Sequence, residues 1–204
     1  EARVVKAVAT VRILNTRGVA AGYSKSFFAI GLEGSRVRGT DMLFVGEQHI
    51  SPYPIRDHKI VTDTVLQQLE YARETAPAPR GAVPVILSFH GVAQAIEPSL
   101  AIAFNGRTVL QGASPLGGKL GQKVFDERLT IWDDPIVPHC AGSRICDDEG
   151  VPSQRTPLVQ AGVARQFVYD LQTAAQAGAR STGSASRAMG SLPSPSLSVV
   201  VIEG

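Results

Sequence analysis

The stretch TPLVQAGVARQFVYDLQTAAQAG, residues 156–178, decides the fold class. It covers most of two strand-like runs, 154–160 and 163–169, which are separated by Ala161-Gly162. Strand-forming runs on either side of a short turn that contains glycine predict a β-hairpin. The chain is therefore expected to contain antiparallel strands in this region.

A short helix is predicted directly after the hairpin, over residues 170–177. Asp170 suits the N-cap position, because its carboxylate can accept a hydrogen bond from a free amide of the first turn. Gly178 suits the C-cap position, where the backbone turns left-handed without the cost of a Cβ atom. A hairpin followed by a helix is typical of mixed α and β structure.

Outside this stretch the patterns predict further strands and two further helical segments. Apolar alternation indicates strands, and an apolar stripe at helical spacing indicates a helix. The strands are expected over 3–14, 19–25, 26–37, 83–87 and 128–133, and the helices over 57–71 and 91–104, the second of which Pro98 could divide into two. Residues 39–54 are predicted to be rich in loop, and residues 180–198 to be a mobile loop.

The predicted fold class is α+β, with antiparallel sheets forming a barrel-like or sandwich core and a few flanking helices. The predicted domains are 1–80, an antiparallel meander plus a helix, and 81–204, a second domain that is truncated at its end. Because the chain lacks an initiator Met and opens and closes in strand patterns, it is expected to be a piece of a longer protein.

The composition excludes several classes of function. Twenty basic and 18 acidic residues give a net charge of +2, which is too balanced to predict a nucleic-acid surface. No run approaches the roughly 18 apolar residues of a membrane helix. Cys140 and Cys146 are not spaced as in a zinc ribbon or a redox motif, so two free thiols in a reducing cytosol are expected.

Common catalytic motifs are absent or weak. The chain has no Gly-x-Ser-x-Gly elbow, and Gly118-Lys119 is followed by Leu120 rather than by the hydroxyl residue of a phosphate-binding loop. His90 and Glu97 lie seven residues apart and would share a face of a continuous helix. His139, Cys140 or Cys146 could supply a third metal ligand, although dispersed ligand residues are common by chance.

One acidic run, Asp147-Asp148-Glu149-Gly150, has two interpretations. It could bind a cation or the amino end of a peptide. It could also form a turn in which Asp side chains accept bonds from backbone amides and Gly150 takes a positive φ. The composition of the run favours the turn.

Four segments together resemble the TldD/PmbA family of intracellular peptidases. They are GKLGQKVF at 118–125, WDDP at 132–135, DDEGVPSQRT at 147–156 and STG at 181–183, and the hairpin and helix described above lie between the last two. The resemblance covers about residues 81–204, and residues 1–80 agree more loosely. It implies that the first domain connects to the family's N-terminal region and that the second is the family's C-terminal domain.

The resemblance also implies a branch and a role. In TldD-like chains the helix after the 83–87 strand carries His-Glu-x-x-x-His, which binds zinc together with a later Cys. Residues 91–100 read GVAQAIEPSL and lack the histidine pair, as in the PmbA or TldE-like branch. The family's later Cys would lie beyond Gly204. The expected role is a cytoplasmic, metal-free, non-catalytic subunit of a metallopeptidase that processes or degrades unfolded peptides.

The expected partners are a TldD-like subunit, which brings the zinc, or a second copy of the chain, together with a peptide substrate. Neither a nucleic acid nor a membrane is expected as a binding partner. An extended peptide could add as a strand beside the 154–169 hairpin or the loop from Ser181. The candidate substrate-binding residues are Asp147, Asp148, Glu149, Gly150, Ser181, Thr182 and Gly183.

Two other functions remain open from the sequence. One is a self-sufficient metallopeptidase that uses His90, Glu97 and a distal ligand. The other is a regulatory binding protein that modulates DNA gyrase, an older label of the family. Because the chain has no nucleic-acid footprint, such an effect on gyrase would act through protein contacts.

Overall fold

The computed structural model describes residues 1–204, which divide into two compact units. Residues 1–10 and 24–85 form the first unit, and residues 11–23 and 86–204 form the second. The predicted domains 1–80 and 81–204 stay a prediction.

The first unit is built on a three-stranded antiparallel sheet in the order β1-β2-β3. Its strands are β1 (Ala2–Leu14), β2 (Ala20–Arg38) and β3 (Asp41–Ser51). The two strands expected over 19–25 and 26–37 are one long strand, and most of the loop expected over 39–54 is β3. Because Gly31, Gly34 and Gly46 interrupt the apolar alternation, the sequence pattern hid this pairing of β2 with β3.

A single helix, α1 (Lys59–Tyr71), completes the first unit and confirms the helix predicted over 57–71. Val61 and Val65 are its buried residues, in agreement with the predicted apolar stripe. Gln68 fastens the helix to β3, because its side chain accepts a bond from the Gly46 amide at 3.0 Å and donates one to the Gly46 carbonyl at 3.1 Å.

The second unit contains the remaining elements, which are short. In chain order they are α2 (Phe89–Gly91), a π-helix (Val92–Ile96), α3 (Glu97–Ala103), α4 (Gly106–Leu110), β4 (Thr130–Asp133), β5 (Thr156–Gln160), β6 (Val163–Ala164), α5 (Leu171–Ala177), β7 (Ala185–Ser186), β8 (Ser194–Pro195) and β9 (Val200–Glu203). One antiparallel sheet has the order β6-β5-β4-β9, and β7 pairs with β8. The hydrophobic core of the second unit includes Phe104, Ile131, Leu158, Val159, Phe167 and Val168.

The stretch that decided the fold class forms the predicted elements. Ala161 and Gly162 have φ angles of 47° and 76°, so both central residues of the turn between β5 and β6 are left-handed, as a tight hairpin requires. The Asp170 side chain accepts a bond from the Thr173 amide at 2.7 Å and caps α5. Gly178 ends α5 with a φ of 63°.

Three predictions for residues 83–198 were wrong in detail. Residues 83–87 are not a strand, because they pair with no other strand. The helix expected over 91–104 is α2, a π-helix and α3, since Pro98 has no amide to donate to the preceding turn. Residues 180–198 are ordered and include β7 and β8, because their polar side chains bond to other parts of the unit.

The predicted α+β class with antiparallel sheets and few helices is confirmed. No sheet closes on itself, so the barrel-like form is not found and a sandwich-like core describes the structure. The longest helix has 13 residues, and none is long and apolar enough to cross a membrane.

Candidate functional site

Asp147 is the centre of the acidic turn and is fully buried. Its Oδ1 atom accepts bonds from the amides of Glu149 at 3.0 Å and Val151 at 2.9 Å. Its Oδ2 atom accepts a bond from the Ala185 amide at 3.0 Å. With Gly150 at a φ of 80°, the run forms the Asx-type turn that its composition favoured.

The two neighbouring carboxylates also bind backbone amides. Asp148 accepts a bond from the Arg187 amide at 2.8 Å, and Glu149 accepts one from the Leu171 amide at 2.7 Å. Burial raises the pKa of Glu149 above its ordinary range, although the bond from Leu171 acts in the opposite direction. The acidic turn therefore holds two later segments of the chain through charge-assisted hydrogen bonds.

Ser181, Thr182 and Gly183 lie at the start of one of these segments. The Thr182 hydroxyl accepts a bond from the Tyr169 amide at 2.8 Å, and the Ser181 hydroxyl donates to the Tyr169 carbonyl at 3.2 Å. Gly183 has a φ of 68°, and a Cβ atom there would lie 2.4 Å from the Pro152 carbonyl oxygen. Glycine is required at this position both for its backbone angles and for the close approach.

The structure thus brings the two groups of candidate residues together. The Asp148 amide donates to the Ala185 carbonyl at 3.2 Å, next to the bond that the Ala185 amide donates to the Asp147 carboxylate. Asp147 and Thr182 are fully buried, while Asp148 and Glu149 are partly exposed. Of the candidate carboxylates, those of Asp148 and Glu149 are the ones that an incoming amino group could reach. Their role in substrate binding stays a prediction.

Asp133 is a central residue that the sequence did not single out as a site residue. Its buried Oδ1 atom accepts bonds from the Ser198 amide at 2.9 Å, the Ser198 hydroxyl at 3.2 Å and the Val199 amide at 3.2 Å. Its Oδ2 atom accepts a bond from the Ser184 hydroxyl at 3.4 Å. Burial raises the pKa of Asp133, against the lowering effect of these bonds.

Arg144 is the second residue that sequence reasoning missed. One guanidinium nitrogen, Nη1, donates to the Ala185 carbonyl at 2.9 Å, so Ala185 is bonded to both Arg144 and the acidic turn. Its Nε and Nη2 atoms are buried and find no acceptor within the protein. Burial raises the pKa of the nearby Tyr23 hydroxyl, and the Arg144 charge acts against this rise. The only signal in the sequence is a basic residue just before an acidic run.

The residues proposed as metal ligands do not assemble. His90 lies in α2 and Glu97 begins α3, so the π-helix between them replaces the continuous α-helix on which they would share a face. No three His, Cys, Asp or Glu side chains in residues 1–204 form a group that could hold a metal ion. The alternative set that adds His139, Cys140 or Cys146 is therefore not found in this structure.

The sequence of the larger part of the chain matches a known class of protein domain. The family described as "PmbA/TldA metallopeptidase C-terminal domain" matches residues 80–204. The chain therefore belongs to the TldD/PmbA family of metallopeptidase-like proteins, as its sequence motifs indicated.

Individual relatives agree with this assignment. The uncharacterized protein MJ0231 of Methanocaldococcus jannaschii is 30% identical over 195 residues, which are 93% of this chain and 44% of that protein. A metalloprotease TldD homolog of Haemophilus influenzae is 31% identical over 110 residues, 54% of this chain and 23% of that protein. The chain thus spans less than half the length of these relatives.

A solved structure shares the fold. The crystal structure of TldE from Thermococcus kodakarensis has a TM-score of 0.83 and 24% sequence identity, and the match covers 99% of this chain and 46% of that one. At this identity the likeness establishes the fold alone.

Proposed function

We propose that this chain is a metal-free, non-catalytic subunit of a TldD/PmbA-type metallopeptidase that processes or degrades unfolded peptides. The observation that carries the proposal is the helical segment after Leu87. It offers a single imidazole, His90, and the π-helix separates that imidazole from Glu97. Zinc peptidases need three protein ligands that meet at one point, and this segment provides no such set.

The zinc would then come from a TldD-like partner, and this chain would contribute a surface that holds the peptide. Membership of the metallopeptidase family supports the peptidase role. A second copy of this chain is the other partner to consider.

An open sheet edge is the natural place for an extended peptide, because its backbone bonds give affinity with little sequence choice. The edge at β6 is occupied within the chain: Ala164 bonds to Gly121 and Gln122, and Val163 pairs with Lys123. The opposite edge of this sheet is β9, which pairs with β4 on one side alone. We therefore favour β9 over the 154–169 hairpin as the strand that receives a peptide.

The test measures metal content and peptide cleavage with the chain alone and with a TldD-like partner. After full loading with zinc, the chain alone is expected to retain no stoichiometric zinc and to cleave no unfolded peptide. Addition of the partner is expected to give zinc-dependent cleavage. Zinc-dependent turnover by the chain alone would overturn the proposal.

A matched control distinguishes the contributions of the two subunits. Substitution of His90 by Gln in this chain is expected to leave cleavage by the pair unchanged, because His90 binds no metal in the proposal. Substitution of a histidine in the partner's His-Glu-x-x-x-His helix is expected to abolish it. A loss of zinc from the pair caused by His90→Gln would place the metal in this chain instead.

A further inference from the structure

The first unit carries a groove that the proposed function does not use. Its volume is about 500 Å³, within the range of sites that bind small molecules and short peptide segments. Three arginines, two glutamates and two leucines line it, and they come from the end of β2, the last turns of α1 and the two residues after its C-cap, Arg73 and Glu74. The groove therefore combines charged and apolar walls.

Two of the arginines, Arg36 and Arg38, lie two residues apart on β2, so their side chains leave the same face of the sheet. Arg36 donates from Nη2 to the carbonyl of Ala72, the residue that ends α1, at 2.5 Å. This bond holds the Arg36 side chain in place. Arg38 is exposed, and although it faces Asp41 across the strand pair, the two form no ion pair. Its guanidinium is available to a ligand.

The charges of the groove do not balance. Arg73 is paired with Glu70, with 2.9 Å between Nε and Oε2, so these two largely cancel. Arg36 and Arg38 then face one further acid, Glu74. Guanidinium groups bind carboxylates through paired, charge-assisted bonds. The excess positive charge and the unpaired guanidinium group of Arg38 favour a ligand that carries a carboxylate.

The other wall of the groove is apolar. Leu66 and Leu69 lie three residues apart on α1 and share a face of the helix. The Leu66 residue is 63% exposed, which leaves apolar surface for a ligand to cover. A fitting ligand therefore has an apolar group next to its acidic one.

We propose that this groove binds an acidic peptide segment, with a carboxylate against Arg38 and Arg36 and a neighbouring apolar side chain on Leu66 and Leu69. The site lies wholly in the first unit, whereas the peptide-handling role rests on the second. The carboxylate could come from a Glu side chain or from the peptide's free C-terminus. Both sources present the same chemistry to the arginines.

The test is a binding measurement by fluorescence anisotropy, which needs no peptidase activity. The probe is a labelled peptide of alternating Glu and Leu with an amidated C-terminus, added to the full chain. Arg38→Glu is expected to weaken binding about tenfold or more, as the loss of a charge-assisted bond predicts. Arg56→Glu removes an exposed arginine of the same unit outside the groove and is expected to leave binding unchanged.

Further peptides and variants identify which groups of the peptide the groove binds. A Gln-Leu peptide with a free C-terminus is expected to bind if the terminal carboxylate is the source, and the amidated Glu-Leu peptide if side chains are. Leu66→Asn is expected to weaken binding of the Glu-Leu peptide more than binding of a Glu-Ser peptide. Thermal unfolding of Arg38→Glu and Arg56→Glu is expected to match the wild type, because both positions are exposed.

Three results would overturn the proposal. They are equal affinity of Arg38→Glu and wild type for the peptide that binds, an affinity for an amidated Gln-Leu peptide that equals the affinities for both carboxylate-bearing peptides, and binding of inorganic phosphate by the groove without binding of either carboxylate source. None of them depends on peptide cleavage, so failure of this proposal and failure of the proposed function are distinguishable.

Discussion

Asp147 and Ala185 are joined by a hydrogen bond of 3.0 Å from the Ala185 amide to the buried Asp147 carboxylate, although 38 positions separate them in the chain. The same carboxylate accepts two amides of its own turn. One side chain thus shapes the acidic turn and fixes the segment that begins β7.

Removal of this carboxylate is expected to cost much more stability than removal of its neighbour. Asp147→Ala leaves three amides without their acceptor in a buried place, and we expect a loss of roughly 3 kcal/mol in the free energy of unfolding. Asp148→Ala is the matched control, because Asp148 is partly exposed and its carboxylate accepts one hydrogen bond, from the Arg187 amide. We therefore expect a loss of about 1 kcal/mol or less in the free energy of unfolding. Urea unfolding measures both, and equal losses would contradict the buried role.

Asp133 is expected to make stability depend on pH. Because burial raises its pKa in the folded protein, the folded state binds the proton more tightly than the unfolded state does. Its contribution is therefore most favourable below the ordinary Asp pKa of about 3.9 and is lost as the pH rises through the folded pKa. Burial also raises the pKa of Glu149, so the contribution of Glu149 to stability depends on pH in the same direction.

Asp133→Asn tests this dependence, because Asn keeps an oxygen for the Ser198 and Val199 amides but does not titrate. Relative to the wild type, we expect the free energy of unfolding of Asp133→Asn to increase as the pH rises from about 4 towards neutrality, so the variant becomes relatively more stable. Urea unfolding at several pH values measures the difference. Asp133→Ala, which removes the acceptor, should be less stable than the wild type at every pH. If the difference in the free energy of unfolding between Asp133→Asn and the wild type does not change with pH, the raised pKa of Asp133 is refuted.

Two glycines with positive φ are expected to respond differently to alanine. At Gly183 the new Cβ atom would overlap the Pro152 carbonyl oxygen, so Gly183→Ala should cost more than about 3 kcal/mol. Gly190 has a φ of 77° and open space around it, so Gly190→Ala should cost only the backbone strain of about 1 kcal/mol. Chemical denaturation compares the two, and similar losses would show that the close approach is absent in solution.

Trp132 is the one tryptophan of the chain, and the Arg155 guanidinium lies 3.9 Å from the centre of its ring. Arg155 also pairs with Asp134 at 3.1 Å and Glu203 at 3.2 Å. We expect Arg155→Gln to lower stability by about 1 kcal/mol and to shift tryptophan emission to longer wavelength, as water reaches the ring. Arg165→Gln, at an exposed position on the same unit, should change neither quantity.

Local patterns were sufficient for some elements of the fold. The hairpin of β5 and β6 and the caps of α5 were predictable because Ala161-Gly162, Asp170 and Gly178 act on their immediate neighbours. β3 was missed because its partner β2 carries glycines that break the alternation on which strand prediction rests.

The candidate site could be predicted only in part. The acidic turn was visible in the sequence, because Asp147 bonds to amides two and four residues away. That Asp133 meets Ser198, 65 residues later, depends on the pairing of β4 with β9, which no local pattern contains. The same holds for the meeting of Arg144 with Ala185.

The hairpin of β1 and β2 has a consequence for how the protein can be divided. Its tip, residues 11–23, belongs to the second unit, where Ile13 lies within contact distance of Gly150 and a Cβ atom at Gly150 would overlap Val19 at 2.4 Å. A gene fragment that begins at residue 81 would therefore produce a polypeptide without this apolar cover. Such a fragment should aggregate unless the missing hairpin is supplied as a separate peptide.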